Sequence, residues 1–147
     1  MKTTMEITQE VFKKTIPIQI RFGDIDAIGH INNNIYYSYF DLGKSHYFED
    51  MKAGVVNWTD GIIVLARSET DFFSPVFYKE NIAVDTKIMH LGNKSGVFLQ
   101  QIRNTDTDEV RCRCKSTFVY YNPDEGKSMP IPQIWRDVIS CFEEVTF

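Results

Sequence analysis

Cysteine is scarce in this chain: three residues, Cys112, Cys114 and Cys141, in a length of 147. An odd, sparse set excludes a disulfide framework, and none of the three stands in a CxxC pair, so a thiolate zinc site is not expected. Cys112 and Cys114 are two apart in a strand-like run and share one face of it. All three read as buried, reduced thiols, a habit of cytosolic proteins. Long apolar runs are also missing. None approaches the ~18 residues of a membrane span, and the opening Met1–Glu6 has no apolar leader region, so a cytoplasmic protein without a membrane partner is expected. Nor does charge of one sign dominate. Sixteen Lys and Arg stand against twenty Asp and Glu, a formal net charge of -4 with no long single-sign run. That balance disfavours non-specific nucleic-acid binding and leaves room for an anionic small molecule only where a few cations converge. Repeats, low-complexity tracts and linkers are absent too. What remains is a chain with 43% hydrophobic and 14% aromatic residues, enough for a real core in a single domain over residues 1–147.

The apolar pattern alternates first with a period of two. Ile16, Ile18, Ile20 and Phe22 predict a strand within 11–22, with Pro17 placing it at a sheet edge because proline donates no ladder bond. A Gly- and Asp-rich loop follows over 23–31. Asn32-Asn33-Asn34 then offers N-cap chemistry for a helix from about Asn33 to Glu49. Its aromatic residues surround the helix axis, which predicts a buried helix wrapped by sheet. β-branched and aromatic residues predict strands over 62–73, 82–91, 97–104 and 109–121. The short connections 91–96 and 104–108 read as hairpins, so the sheet is antiparallel. A final helix is expected over 130–144, with Ile134, Trp135, Val138, Ile139 and Phe142 on one stripe. The layout is α+β, one antiparallel sheet curled around one long helix.

Polar chemistry concentrates between the first strand and this helix. Asp24, Asp26, His30 and three asparagines fall within eleven residues, immediately before the helix start. A helix N-terminus presents unpaired N–H groups and a positive dipole end, which suits a carbonyl oxygen turning negative. A nearby carboxylate can serve as nucleophile or as general base on water. Acyl transfer needs both.

The run Asp24-x-Asp26-x-x-Gly29-His30-Ile31-Asn32-Asn33, continued by Tyr36, Tyr39, Phe40 and Asp41, resembles the 4-hydroxybenzoyl-CoA thioesterase superfamily. The resemblance implies the hotdog fold along nearly the whole chain. It implies Asp26 as the catalytic carboxylate, and the main-chain N–H near Asn33 as the group that polarises a thioester carbonyl. It further implies a dimer or tetramer and an acyl-CoA or acyl-carrier-protein thioester as substrate. Asp24, Asp26 and His30 have no further His or Cys ligand in evidence, so no metal is expected, and no cofactor. Gly29, His30, Asn32 and Tyr36 are candidate substrate contacts. The Gly-His-Ile-Asn-Asn form resembles the broad acyl-thioester branch more than the aromatic one. Two other activities on the same fold stand as alternatives: an acyl-thioester-binding domain without catalysis, and a dehydratase or hydratase.

Plainer roles compete for the same residues. Asp24 reads first as a loop stabiliser, His30 as a hydrogen-bonded loop organiser, and Tyr36, Tyr39 and Phe40 as core. Arg111, Arg113 and Lys115 alternate opposite Cys112 and Cys114, which reads as a solvated outer face that protects against aggregation, with a landing site for CoA phosphates as the alternative. Lys94 and Ser95, in the glycine-flanked turn 92–96, are independent candidates for phosphate contact, because such turns expose N–H groups.

Overall fold

A computed structural model describes residues 8–51 and 60–147; the opening segment Met1–Glu6 lies outside them. The elements run β1 (Lys14–Ile18), a 3-10 turn (Phe22–Asp24), α1 (Asn33–Asp50), β2 (Ile62–Phe72), β3 (Ile82–Leu91), β4 (Ser95–Asn104), β5 (Val110–Asn122), β6 (Lys127–Ser128) and α2 (Gln133–Glu143). The sheet order is β1-β3-β4-β5-β2, with β6 paired to β5, and every described pairing is antiparallel. Pro17 lies opposite Ala83 on β1, which pairs only with β3, so the missing donor falls at a sheet edge as expected.

Helix α1 crosses one face of this sheet. Tyr36, Tyr39, Phe40, Gly43, Tyr47 and Phe48 form its buried side, a spacing of three and four that keeps one face down. Gly43 has a specific reason to lack a side chain. A Cβ there would lie 2.7 Å from Thr86 Oγ1 and 2.9 Å from Gln100 Nε2. Gln100 Nε2 donates to the Phe40 carbonyl at 2.8 Å and to Thr86 Oγ1 at 2.9 Å. This polar waist divides the core. On one side lie Ile16, Ile18, Tyr36, Tyr39, Phe40 and Val84; on the other lie Tyr47, Phe48, Phe98, Phe118, Tyr120 and Trp135.

Several expectations need correction. The first strand stops at Ile18, and Phe22 is 84% exposed. The chain turns at that point because Asp24 N–H donates to the Arg21 carbonyl while the Asp24 carboxylate accepts from Arg21 N–H. Helix α1 is not buried all round, since Tyr37 and Leu42 are exposed. On α2, Trp135 and Ile139 are buried, but Ile134 points to solvent. Cys112 and Cys114 are buried free thiols; Cys141 is free and exposed. Burial, with Cys114 beside it, holds the Cys112 thiol well above its ordinary range, so it is inert. The two-residue strand β6 is not foreseen from sequence.

Candidate active site

The loop before α1 is held from two sides. Asp24 is 1% exposed. Its Oδ2 accepts the Tyr39 hydroxyl at 2.7 Å and Arg21 N–H at 3.0 Å, and its Oδ1 meets the Arg21 guanidinium at 3.3 Å. Burial pushes this carboxyl's pKa upward, but the Arg21 N–H, the Tyr39 hydroxyl and the Arg21 charge together outweigh it, and the net direction is downward. Tyr39 is driven the other way, first by burial and then by its bond to Asp24. On the opposite side, Ile31 N–H donates to the Val76 carbonyl at 2.9 Å. His30 pairs with Phe77 as an isolated bridge, and its ring meets the Phe77 ring edge-on at 4.9 Å.

Between these anchors Asp26 closes a small turn. Its Oδ1 accepts Ile28 N–H and His30 N–H, both at 3.1 Å, and its own N–H donates to the His30 carbonyl at 2.8 Å. Gly29 takes φ +82°, the left-handed region that glycine enters without strain. His30 organises this loop through its main chain. The second oxygen of Asp26, Oδ2, accepts no hydrogen bond among the described residues.

The first turn of α1 shows a similar selectivity. Asn32 is the N-cap, and its Oδ1 accepts Asn34 N–H at 3.1 Å. Asn32 N–H donates to the Asp24 carbonyl at 3.0 Å, and Ile35 N–H to the Asn32 carbonyl at 2.9 Å. Asn33, between them, has an N–H with no partner among the described residues. It is the first helical residue, where α-helical geometry supplies no acceptor.

Asp26, His30, Asn32, Asn33 and Tyr36 all line one open cleft of about 460 Å³. Phe72, Phe73, Ser74 and Pro75, at the end of β2 and just beyond, form its other wall. These wall residues carry no motif and are missed by sequence reasoning; they arrive by strand pairing. Tyr36 is 2% exposed and packs edge-on against Phe72 at 5.3 Å. Burial and then Cys112 push its hydroxyl up to about 12, so it stays protonated at neutral pH.

The remaining candidates lie elsewhere. Lys94 and Ser95 sit in the β3–β4 turn, where Lys94 carbonyl accepts from Tyr120 N–H. The cleft adjoins the other end of the sheet, where Ile18 faces Ile82 and Ile82 faces Asn104. Ten residues of β4 separate those ends, about 30 Å at strand rise. Within one chain, Lys94 and Ser95 therefore do not join Asp26 and Asn33. Arg111 and Arg113 do not form a solvated face. Arg111 donates to the Pro75 carbonyl at 2.7 Å and to Glu80 at 2.6 Å. Arg113 donates to the Thr8 carbonyl and to Gln101. Of the three outer-face cations only Lys115 is exposed. No cluster of three His, Cys, Asp or Glu among the described residues has a metal-holding arrangement.

The chain belongs to the thioesterase-like superfamily, whose family model matches residues 20–139. No curated protein matches it by sequence. Among solved structures, it is similar to a thioesterase from Thermus thermophilus, crystallised with coenzyme A and zinc. That likeness has TM-score 0.81 at 24% identity over 95% of this chain and 100% of the other. A predicted thioesterase from Bacillus stearothermophilus matches with TM-score 0.78 at 27% identity, over 90% and 96% of the two chains. A 1,4-dihydroxy-2-naphthoyl-CoA thioesterase from Synechocystis matches with TM-score 0.77 at 19% identity, over 86% and 94%. The fold is the α+β hotdog fold, and the family is one of thioester hydrolases.

Proposed function

We propose that the chain hydrolyses acyl-CoA or acyl-carrier-protein thioesters to a free acid and a thiol, using Asp26 and the main-chain N–H of Asn33. One observation carries this reading: Asp26, with one oxygen unpartnered, and Asn33, with an unpartnered helix-start N–H among the described residues, line the same cleft. Asp26 supplies the base or the nucleophile. As base, it takes a proton from water while the water oxygen bonds to the thioester carbon. The carbonyl oxygen becomes negative and is met by Asn33 N–H and the positive end of α1. Collapse of this intermediate breaks the C–S bond, and the thiolate leaves with the proton. His30, Asn32 and Tyr36 shape the cleft around the acyl group, while Gly29, which does not line it, sets the turn that Asp26 closes. No metal takes part in this scheme.

The chain is further proposed to work as a dimer or tetramer. Among the described residues β2 pairs only with β5, which leaves its eleven residues at a sheet edge, with Leu65 and Phe72 exposed along it. An uncovered edge of that length invites pairing with a second copy. Such a partner would also reach the cleft wall at Phe72. Light scattering at micromolar concentration is expected to show a dimer or larger; a clean monomer that still turns over substrate would contradict this part of the reading. No helix of the described residues is long and apolar enough to cross a membrane; a cytoplasmic location is proposed from the free, reduced cysteines.

The deciding experiment incubates the pure protein with a panel of acyl-CoAs and a thiol reagent, with and without a chelator. Thiol release unaffected by the chelator supports a metal-free hydrolase. Binding without release indicates a sensor, and loss of a double bond without release a hydratase. Asp26→Asn keeps shape and removes charge, so turnover is expected to fall at least ~10²-fold with the fold intact. Near-normal turnover in that variant would overturn the role of Asp26.

A further inference from the structure

We propose that Asp24 and Tyr39 are positioning residues for this reaction: their buried pair sets where the first turn of α1 stands relative to Asp26. The inference rests on the thioesterase reading for its kinetic arm and on geometry alone for its second arm. Asp24 and Tyr39 are both absent from the cleft lining, so neither touches a substrate there. Asp24 nonetheless joins the residues next to the two groups that do the chemistry, and Tyr39 holds Asp24. The Asp24 carbonyl accepts Asn32 N–H at 3.0 Å, and Asn32 is the residue that caps Asn34 and precedes the unpaired Asn33 N–H. Two residues along the chain from Asp24 is Asp26 itself. The Asp24 side chain is tied at 2.7 Å to the hydroxyl of Tyr39, which lies nearly two turns inside α1.

The pair thus forms a strut that joins the loop, the N-cap and the body of the helix. A purely structural role has a simpler solution. Tyr39 is 5% exposed within an apolar cluster, and a phenylalanine would fill that volume without burying a carboxylate. Buried ionic groups are weak evidence for stability, and a fixed register is their best-attested use. Here the register that matters is that of a free N–H against a free carboxylate oxygen. The loop has independent anchors in Ile31 to Val76 and His30 to Phe77, so loss of the strut should shift the loop without unfolding it.

Tyr39→Phe removes one hydroxyl and Asp24→Asn one charge. In both, kcat is expected to fall ~10- to 10²-fold, the scale of a displacement of about 1 Å, with KM changed less than about twofold. Amide hydrogen exchange followed by NMR should quicken at Asn32 and His30 and stay unchanged at Ile88, which lies at the far end of the core. Unchanged kcat in both folded variants would overturn the proposal. So would quickening at Ile88 equal to that at Asn32, because that pattern means general loosening. If the unaltered protein releases thiol from no member of the panel, the thioesterase reading fails by itself. The strut is then judged on exchange: selective quickening at Asn32 and His30 in Tyr39→Phe upholds it, and its absence overturns it.

Discussion

The two ends of α1 use the same kinds of residue for opposite purposes. At the far end, Tyr47 donates to Glu143 Oε1 at 2.7 Å, and the same oxygen accepts Ile88 N–H at 3.2 Å, beside a register shift between Ile88 and His90. Glu143 is 8% exposed, and the Tyr47 that holds it belongs to the cluster with Phe48, Phe98 and Trp135. At the near end, Asp26 Oδ1 also takes two donors, both N–H groups, and Asp26 lines a cleft. Both are held through one oxygen; one closes a seam between α2 and β3, and the other closes a turn in a loop. A carboxylate that takes two donors therefore does not by itself mark a structural role. What separates the two is exposure: Glu143 is buried, whereas Asp26 is half-buried in the wall of its cleft.

The largest effect should come from the far end. Phe98 is fully buried and touches the rings of Tyr47, Phe48 and Phe118 at centroid distances of 6.1, 5.9 and 4.9 Å. Phe98→Ala is expected to cost about 3–5 kcal/mol in urea denaturation while activity per folded molecule is retained. A variant equally stable but inactive would mean that the two ends are not separable. The next effect belongs to the near end. Proline at position 33 deletes the N–H and fits the first helical position, so Asn33→Pro should fold and lose on the order of 10²-fold in turnover, about 2.7 kcal/mol in the barrier. Asn33→Ala keeps the N–H, and the cap is on Asn32, so it should stay near full activity. Equal activity of the two variants would place the carbonyl elsewhere. The smallest effect is a pH dependence. The Asp24 carboxyl lies below its ordinary value of 3.8 in the folded chain. Its contribution to stability is therefore complete above that value and is lost as pH falls through the lower, folded one. Denaturation midpoints should show this loss only on the acid side of about pH 4, and Asp24→Asn should flatten that limb. An identical acid limb in the variant would show that the carboxyl is not held down in the folded state.

Sequence reading succeeded wherever the determining contacts are local. The start of α1 follows from Asn32, whose cap is made within three residues, and β3 ends at Leu91, where the tight connection beginning with Gly92 takes over. The turn inside the loop is legible for the same reason: Asp26 finds its donors at Ile28 and His30, and Asn32 N–H its acceptor at Asp24. Failure came where a side chain's fate depends on a distant segment. The alternation of Arg111 and Arg113 was readable, but their partners at Pro75, Glu80, Thr8 and Gln101 arrive only through sheet pairing. The turn at Lys94 and Ser95 has suitable local chemistry, and only the direction of β4 places it away from the cleft. The wall at Phe72–Pro75 had no local sign at all. Helix α1 misled because its aromatic content could not say that Tyr37 and Leu42 would lack a cover within the chain.

The unpaired N–H of Asn33 belongs to the main chain, and that has an evolutionary consequence. Every amino acid except proline carries the same donor, so drift at position 33 leaves the group in place so long as the helix still begins there. Asp26 has no such insurance, because its oxygen is encoded by its own codon. Lineages descended from this chain can therefore vary the asparagine freely and still inherit its electrostatics, while the heritable fragility of the site lies in the residues that decide where the helix begins.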